Sequence, residues 1–166
     1  MAASDSDLEA LVERVAQLLL AREARLATAE SCTGGWIAKC LTDRPGSSAW
    51  FEYGFVVYGN DAKQSMLAVD PEILERHGAV SQEVAQAMAV AARAVSGADM
   101  SSAVTGIAGP DGGTPDKPVG TVWLAWLGPG SRATCHHEQF VGDRDEIRRQ
   151  TVAAALDGIL KQLADG

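Results

Sequence analysis

Three short segments of the sequence carry residues able to do covalent chemistry. In T-A-E-S-C-T-G-G, positions 28–35, a short apolar run delivers Ser31 to a glycine-rich turn that opens a helical stripe. A helix start presents unpaired N–H groups and a positive partial charge, so a hydroxyl there can attack a carbonyl carbon while the same donors hold the oxyanion. Thr33, Gly34 and Gly35 are the candidate donors, and the glycines let a substrate approach the backbone. The alternative is that Ser31 or Thr33 caps the helix.

The second segment, Y-G-N-D-A-K at 58–63, ends a strand and places Lys63, one of four lysines, just past a turn. A serine needs a base, and a desolvated lysine serves when its pKa falls from about 10.4 toward neutrality. A fall of about 3 units corresponds to about 4 kcal/mol of burial and charge repulsion. The alternative is a solvated lysine on a helix's first turn. The third segment runs from Thr105 to Gly120 and gathers Gly106, Gly109, Gly112 and Gly113 within eight residues. Such a loop can aim backbone N–H groups at an anion, and it matches neither the dinucleotide fingerprint nor the Walker loop. Arg144 and Arg148, four apart at a helix start, could together hold a phosphate or could pair with Asp145 or Glu146 on the surface. A competing nucleophile is Cys32 with His136 or His137 as base. Those histidines alternate along a strand, so at most one could reach a pocket.

The elements that must position these groups are legible from periodicity. Leu8, Leu11, Val12, Val15, Leu18 and Leu19 mark an amphipathic helix to Ala21, with Asp5, Ser6 and Asp7 as capping candidates. Arg25–Ala29 reads as a strand, Trp36–Leu41 as a helix, and Phe55–Tyr58 as a second strand. Two short helices, over 62–69 and 71–77, precede a longer one capped by Ser81 with Val84, Met88, Ala91, Ala92 and Val95 on one side. Strands follow over 100–105, 121–127 and 133–140, the last two adjacent and antiparallel. A helix over 143–164 closes the chain, despite Gly158. This order gives an α/β fold, a three-layer α/β/α sandwich around a mixed, mostly parallel sheet of about five strands, in one domain over 1–166.

Composition narrows the function classes. The chain has 166 residues, with 14 Lys and Arg against 22 Asp and Glu, a formal net charge of −8. That argues against a broad nucleic-acid or anionic-membrane surface. Three unpaired cysteines and three scattered histidines show no zinc or disulfide spacing, so no metal is expected. No apolar run reaches membrane-spanning length. Residues 1–7 are acidic where a secretory signal is basic, so the expected location is cytoplasmic.

Taken in order, these three segments, with G-A-V-S-Q-E-V at 78–84 and F-V-G-D-R-D-E-I-R at 140–148, closely resemble the CinA carboxy-terminal domain family over roughly residues 8–164. Its characterised members are nicotinamide mononucleotide amidohydrolases. The resemblance implies a five-stranded mixed sheet, a homodimer, no metal or other cofactor, and hydrolysis of nicotinamide mononucleotide to nicotinate mononucleotide and ammonia in pyridine nucleotide salvage. It implies Ser31 as nucleophile, assisted by Tyr58 and Lys63. Thr105 and Gly106, Gly109, Gly112 and Gly113 are then expected to line the pocket with Thr33, Gly34 and Gly35, and Arg144 or loop amides to hold the phosphate.

Overall fold

The structure, a computed structural model, describes residues 3–130 and 132–165. Of the expected domain over 1–166, Met1, Ala2, Ser131 and Gly166 lie outside the described residues; so do the first two positions of the acidic segment read over 1–7. Helix α1, Asp5–Ala21, is capped by Ser4 and not by Asp5, Ser6 or Asp7. Ser4 Oγ accepts from Asp7 N at 3.2 Å, and the Asp7 carboxylate accepts from Ser4 N at 2.8 Å, a reciprocal capping box. Strand β1, Leu26–Glu30, is buried at all five residues. Helix α2, Trp36–Asp43, and a single 3₁₀ turn over Ser47–Ala49 lead to β2, Phe51–Val56.

Strand β2 begins four residues before the expected start at Phe55. It lies at a sheet edge, so Tyr53 and Gly54 pair with β1 while remaining exposed, Glu52 falls at a shift in register, and no run of buried apolar residues marks the early half. Helices α3, Asn60–Leu67, α4, Pro71–His77, and α5, Gln82–Ser96, follow, and Ser81 Oγ caps α5 by accepting from Val84 N. The buried face of α5 is Val84, Ala85, Met88, Ala89 and Ala92. Val95, expected on that face, is 57% exposed. Small alanines, and not the branched residue, set the contact with the sheet.

Strands β3, Met100–Gly106, β4, Thr121–Leu127, and β5, Thr134–Gln139, precede the closing helix α6, Arg144–Asp165. Gly158 has a packing reason. Trp126 donates its indole N–H to Ala155 O at 3.0 Å across α6, and a Cβ at 158 would enter the indole ring. Seating the tryptophan offsets the roughly 1 kcal/mol that glycine costs a helix relative to alanine.

The sheet order is β2-β1-β3-β4-β5, with β1 parallel to β2 and β3, and β4 antiparallel to β3 and β5. Helices α1, α2 and α6 cover one face around Leu19, Ile37, Trp50, Val104 and Leu156. Helices α3, α4 and α5 cover the other around Val57, Leu67, Val84 and Met88. From β1 the chain turns through α2 to one neighbour, β2, and returns through α3–α5 to the opposite neighbour, β3. That reversal opens a crevice at the carboxyl end of β1, where open α/β sheets place their ligand sites. Among the described residues no helix is long and apolar enough to cross a membrane.

Candidate active site

Ser31 is the first residue beyond β1 and therefore stands at this crevice, its amide donating to Val104 O on β3. Lys63 stands one turn into α3, which starts after a three-residue turn, 57–59, because β2 ends at Val56 and not at the expected Tyr58. The two converge: Lys63 Nζ lies 2.9 Å from Ser31 Oγ. Lys63 is 1% exposed and Ser31 8%. Two other groups contact the amine, the carbonyls of Val57 at 2.9 Å and Tyr58 at 3.0 Å.

Two of these partners are carbonyls and the third is the serine hydroxyl. Carbonyl oxygens only accept, so each holds one N–H of the amine. A neutral lysine has two N–H bonds and one lone pair, and with both N–H groups engaged the lone pair is left for the serine hydroxyl. Burial pushes the Lys63 pKa below its ordinary value of 10.5, with no carboxylate in contact to restore the charge. In the resting contact Lys63 Nζ donates to Ser31 Oγ, and burial favours the neutral amine, the form whose lone pair can take the serine proton.

Tyr58 meets the dyad through its backbone. Its carbonyl holds Lys63 and receives a longer contact from Ser31 Oγ at 3.4 Å. The side chain is 59% exposed, and its hydroxyl accepts from Arg144 Nη2 at 3.0 Å. The phenol is thus engaged by Arg144, and the contact with the amine is made by the Tyr58 carbonyl. Arg144 Nη1 also donates to Gly109 O at 2.7 Å, so this arginine bridges the turn after β2 and the glycine-rich loop.

Arg148 does not join it to form a phosphate pocket. Its Nε donates to Cys32 O at 3.1 Å and its Nη2 to Thr33 O at 3.0 Å, which commits it to the serine-bearing turn. In that turn Gly34 N donates to Ser31 O and Gly35 N to the Glu30 carboxylate, so neither glycine amide is free to act as the expected oxyanion donor. The Thr33 backbone amide has no acceptor among the described residues, while that of Cys32 meets its own thiol. Nor does Ser31 or Thr33 cap α2: the N-cap position is Gly35 at φ +94°, and the capping carboxylate is that of Glu30. Sequence reasoning passed over Glu30, because it reaches its amides from the preceding strand and outside any local capping pattern.

The glycine-rich loop has a structural logic of its own. A Cβ at Gly106 would stand 2.7 Å from Val122, one at Gly109 2.5 Å from Val119, and one at Gly113 2.8 Å from the Val119 backbone. These three glycines let the outgoing and returning limbs of the loop pack together. A Cβ at Gly112, φ +90°, would stand 3.6 Å from Ile107, an ordinary contact, so backbone conformation and not space favours glycine there. Thr105 is 1% exposed and donates its hydroxyl to Ala79 O, joining β3 to the start of α5. Lys117 Nζ donates to His77 O and ties the loop to the end of α4. A groove of about 740 Å³ runs behind the serine turn between α1 and α2, past Val12, Trp36 and Arg148, and neither Ser31 nor Lys63 lines it.

The cysteine alternative fails on geometry and on acidity. Burial pushes the Cys32 thiol up to about 12. His136 and His137 lie on β5, three strands from β1 in the sheet, about 14 Å at ordinary strand spacing. His136 pairs with Glu138, and His137 packs on Trp123.

Known proteins are similar to this chain in sequence and fold. A chain from Escherichia coli K12 named "Nicotinamide-nucleotide amidohydrolase PncC" is 52% identical over 159 residues, 96% of each chain. One of the same name from Pseudomonas putida is 56% identical over 151 residues, 91% of this chain and 94% of its own. The crystal structure of competence/damage inducible protein CihA from Agrobacterium tumefaciens superposes with a TM-score of 0.92 at 42% identity, covering 98% of both chains. Residues 8–163 match the CinA C-terminal domain family, and the chain belongs to that family.

Proposed function

We propose that the protein is an amidohydrolase that converts nicotinamide mononucleotide and water to nicotinate mononucleotide and ammonia. The observation that carries the reading is the buried contact between Lys63 Nζ and Ser31 Oγ, with both remaining sites on the amine held by carbonyls. The relatives named for this activity supply the substrate class.

Ser31 Oγ attacks the carboxamide carbon as its proton passes to Lys63. The Thr33 amide holds the oxyanion; one such donor is worth about 3–4 kcal/mol of transition-state stabilisation. Collapse of the tetrahedral intermediate breaks the C–N bond. Lys63 returns the proton to the departing nitrogen, and water then attacks the ester at Ser31 with the same amine as base. Tyr58 serves the chemistry through its carbonyl, and its phenol with Arg144 forms the outer wall of the site. Thr105 and the loop over 106–113 close the opposite wall. Arg144, with the amides of Gly112 and Gly113, receives the phosphate. The reaction places the protein in pyridine nucleotide salvage, and the active form is a homodimer in the cytoplasm.

The test is a coupled ammonia assay comparing nicotinamide mononucleotide with free nicotinamide and with NAD. Release from the mononucleotide alone is expected, abolished in Ser31→Ala and retained in Cys32→Ala. Arg144→Gln is expected to raise KM about tenfold or more, the loss of a charged hydrogen bond to phosphate. Full activity in Ser31→Ala would overturn the mechanism, and binding of the mononucleotide without ammonia release would overturn the activity.

A further inference from the structure

The turn that carries Ser31 is held from two sides by charged groups that the chemical steps leave unused. Glu30 ends β1 fully buried, and its carboxylate accepts four hydrogen bonds. Thr33 Oγ1 donates at 2.6 Å, Gly35 N at 3.1 Å and Ile37 N at 3.0 Å, all to Oε2, while Ala38 N donates to Oε1 at 2.8 Å. A capping side chain ordinarily satisfies one or two amides of the helix it precedes. Glu30 gathers three amides and a hydroxyl, so the end of β1 and the start of α2 move as one body with the turn fixed between them.

From the other side Arg148 donates to the carbonyls of Cys32 and Thr33, and its guanidinium stands 5.4 Å from the centroid of the Trp36 ring. In a trans peptide the carbonyl and the following N–H point in opposite directions. Holding Cys32 O on the Arg148 side therefore turns Thr33 N–H to the other side. That N–H has no acceptor among the described residues.

We propose that Glu30 and Arg148 are positioning residues, a two-sided clamp that aims the Thr33 amide as an oxyanion donor beside Ser31. The inference rests on the reading of Ser31 as nucleophile and is independent of which amide is the substrate. A donor stabilises developing charge fully only when it is oriented before the charge appears, because a loose donor must reorganise as the reaction proceeds. Neither clamp residue touches the substrate, so loosening the clamp lowers kcat and leaves KM in place.

The test uses variants graded by severity and two readouts. Thr33→Val deletes only the hydroxyl contact with Glu30 and leaves the amide, and Thr33→Ser restores that contact. Glu30→Gln keeps the side-chain shape, and Arg148→Ala opens a space that guanidinium ion fits. One readout is kcat and KM for ammonia release from nicotinamide mononucleotide. The other is the rate at which a fluorophosphonate labels Ser31, with fluoride leaving, followed by mass spectrometry.

Expected are losses in kcat of about 100-fold for Glu30→Gln and about tenfold for Thr33→Val, with KM within about threefold and labelling rates falling in step. Thr33→Ser is expected to recover most of what Thr33→Val loses, and guanidinium is expected to recover about tenfold in Arg148→Ala. Labelling of Thr33→Val at the wild-type rate, or a rise in KM at unchanged kcat, overturns the clamp even if the Glu30 variant fails to fold. Wild-type protein that labels but releases no ammonia overturns the substrate and leaves the clamp to the labelling rates. Wild-type protein that does not label overturns both.

Discussion

Glu30 and Lys63 are both charged residues with almost no exposure, yet their surroundings are opposite in kind. Glu30 sits among donors, three amides and a hydroxyl, all belonging to the segment it organises. Lys63 sits among oxygens, two carbonyls and one hydroxyl, with no carboxylate in contact. Every group around the carboxylate is one that an anion would bind, which is the arrangement of a structural anchor. Around the amine the partners are neutral oxygens that bring no opposite charge, and burial favours the uncharged base. Burial of a charge therefore means architecture at one position and reactivity at the other, and the chemistry of the neighbours decides which.

The sharpest way to break this contrast is to remove each group and read both activity and stability. Lys63→Met is expected to lower kcat by about 10³-fold or more while leaving the urea midpoint at pH 7 unchanged or higher, because an unfavourable burial is removed. Glu30→Ala is expected to lower folding stability by about 3 kcal/mol, since several buried donors lose their acceptor together, read from the same urea titration.

A third outcome concerns pH. The folded pKa of Lys63 lies below 10.5, so between the folded value and 10.5 the unfolded chain binds more protons. The destabilisation from charging the buried amine is complete below that window and disappears as pH rises through it. Thermal melting of the wild type is therefore expected to gain on Lys63-free protein with rising pH, and kcat/KM to climb on its acid limb. A Lys63→Met melting profile parallel to the wild type would sink the assignment.

The smallest expected effect is that of Tyr58→Phe. The carbonyl, not the phenol, contacts the amine, so kcat should fall less than about fivefold, with any larger change appearing in KM through Arg144. A loss comparable to that of Lys63→Met would return the phenol to the proton path.

Most of the fold was readable because large apolar residues recur at the right period on α1, α6 and β4. The early half of β2 was not: Phe51, Tyr53 and Phe55 do alternate there, but Glu52 and Gly54 between them are residue types depleted in strands. The face of α5 was misjudged at Val95, because contact with the sheet is made through alanines that carry little periodic signal. At the site, Ser31 and Lys63 stood out by type and placement. The direction of the Tyr58 side chain did not, as nothing local separates a phenol from its own carbonyl. Glu30 was invisible for a related reason: the amides it binds lie five to eight positions onward, and only the turn between brings them within reach. The glycines of the 106–113 loop were conspicuous, but the sequence could not say that Val119 and Val122 are what three of them make room for.

Ser31 leads into α2, whose Ile37 and Leu41 belong to the core on one side of the sheet, while Lys63 rides on α3, anchored by Leu67 in the core on the other. The proton transfer therefore spans the seam between two separately packed layers. Loosening either layer parts the two atoms before the rest of the chain has come apart. Loss of turnover should accordingly be an early alarm of partial melting, audible at denaturant concentrations where the bulk helical signal has scarcely moved.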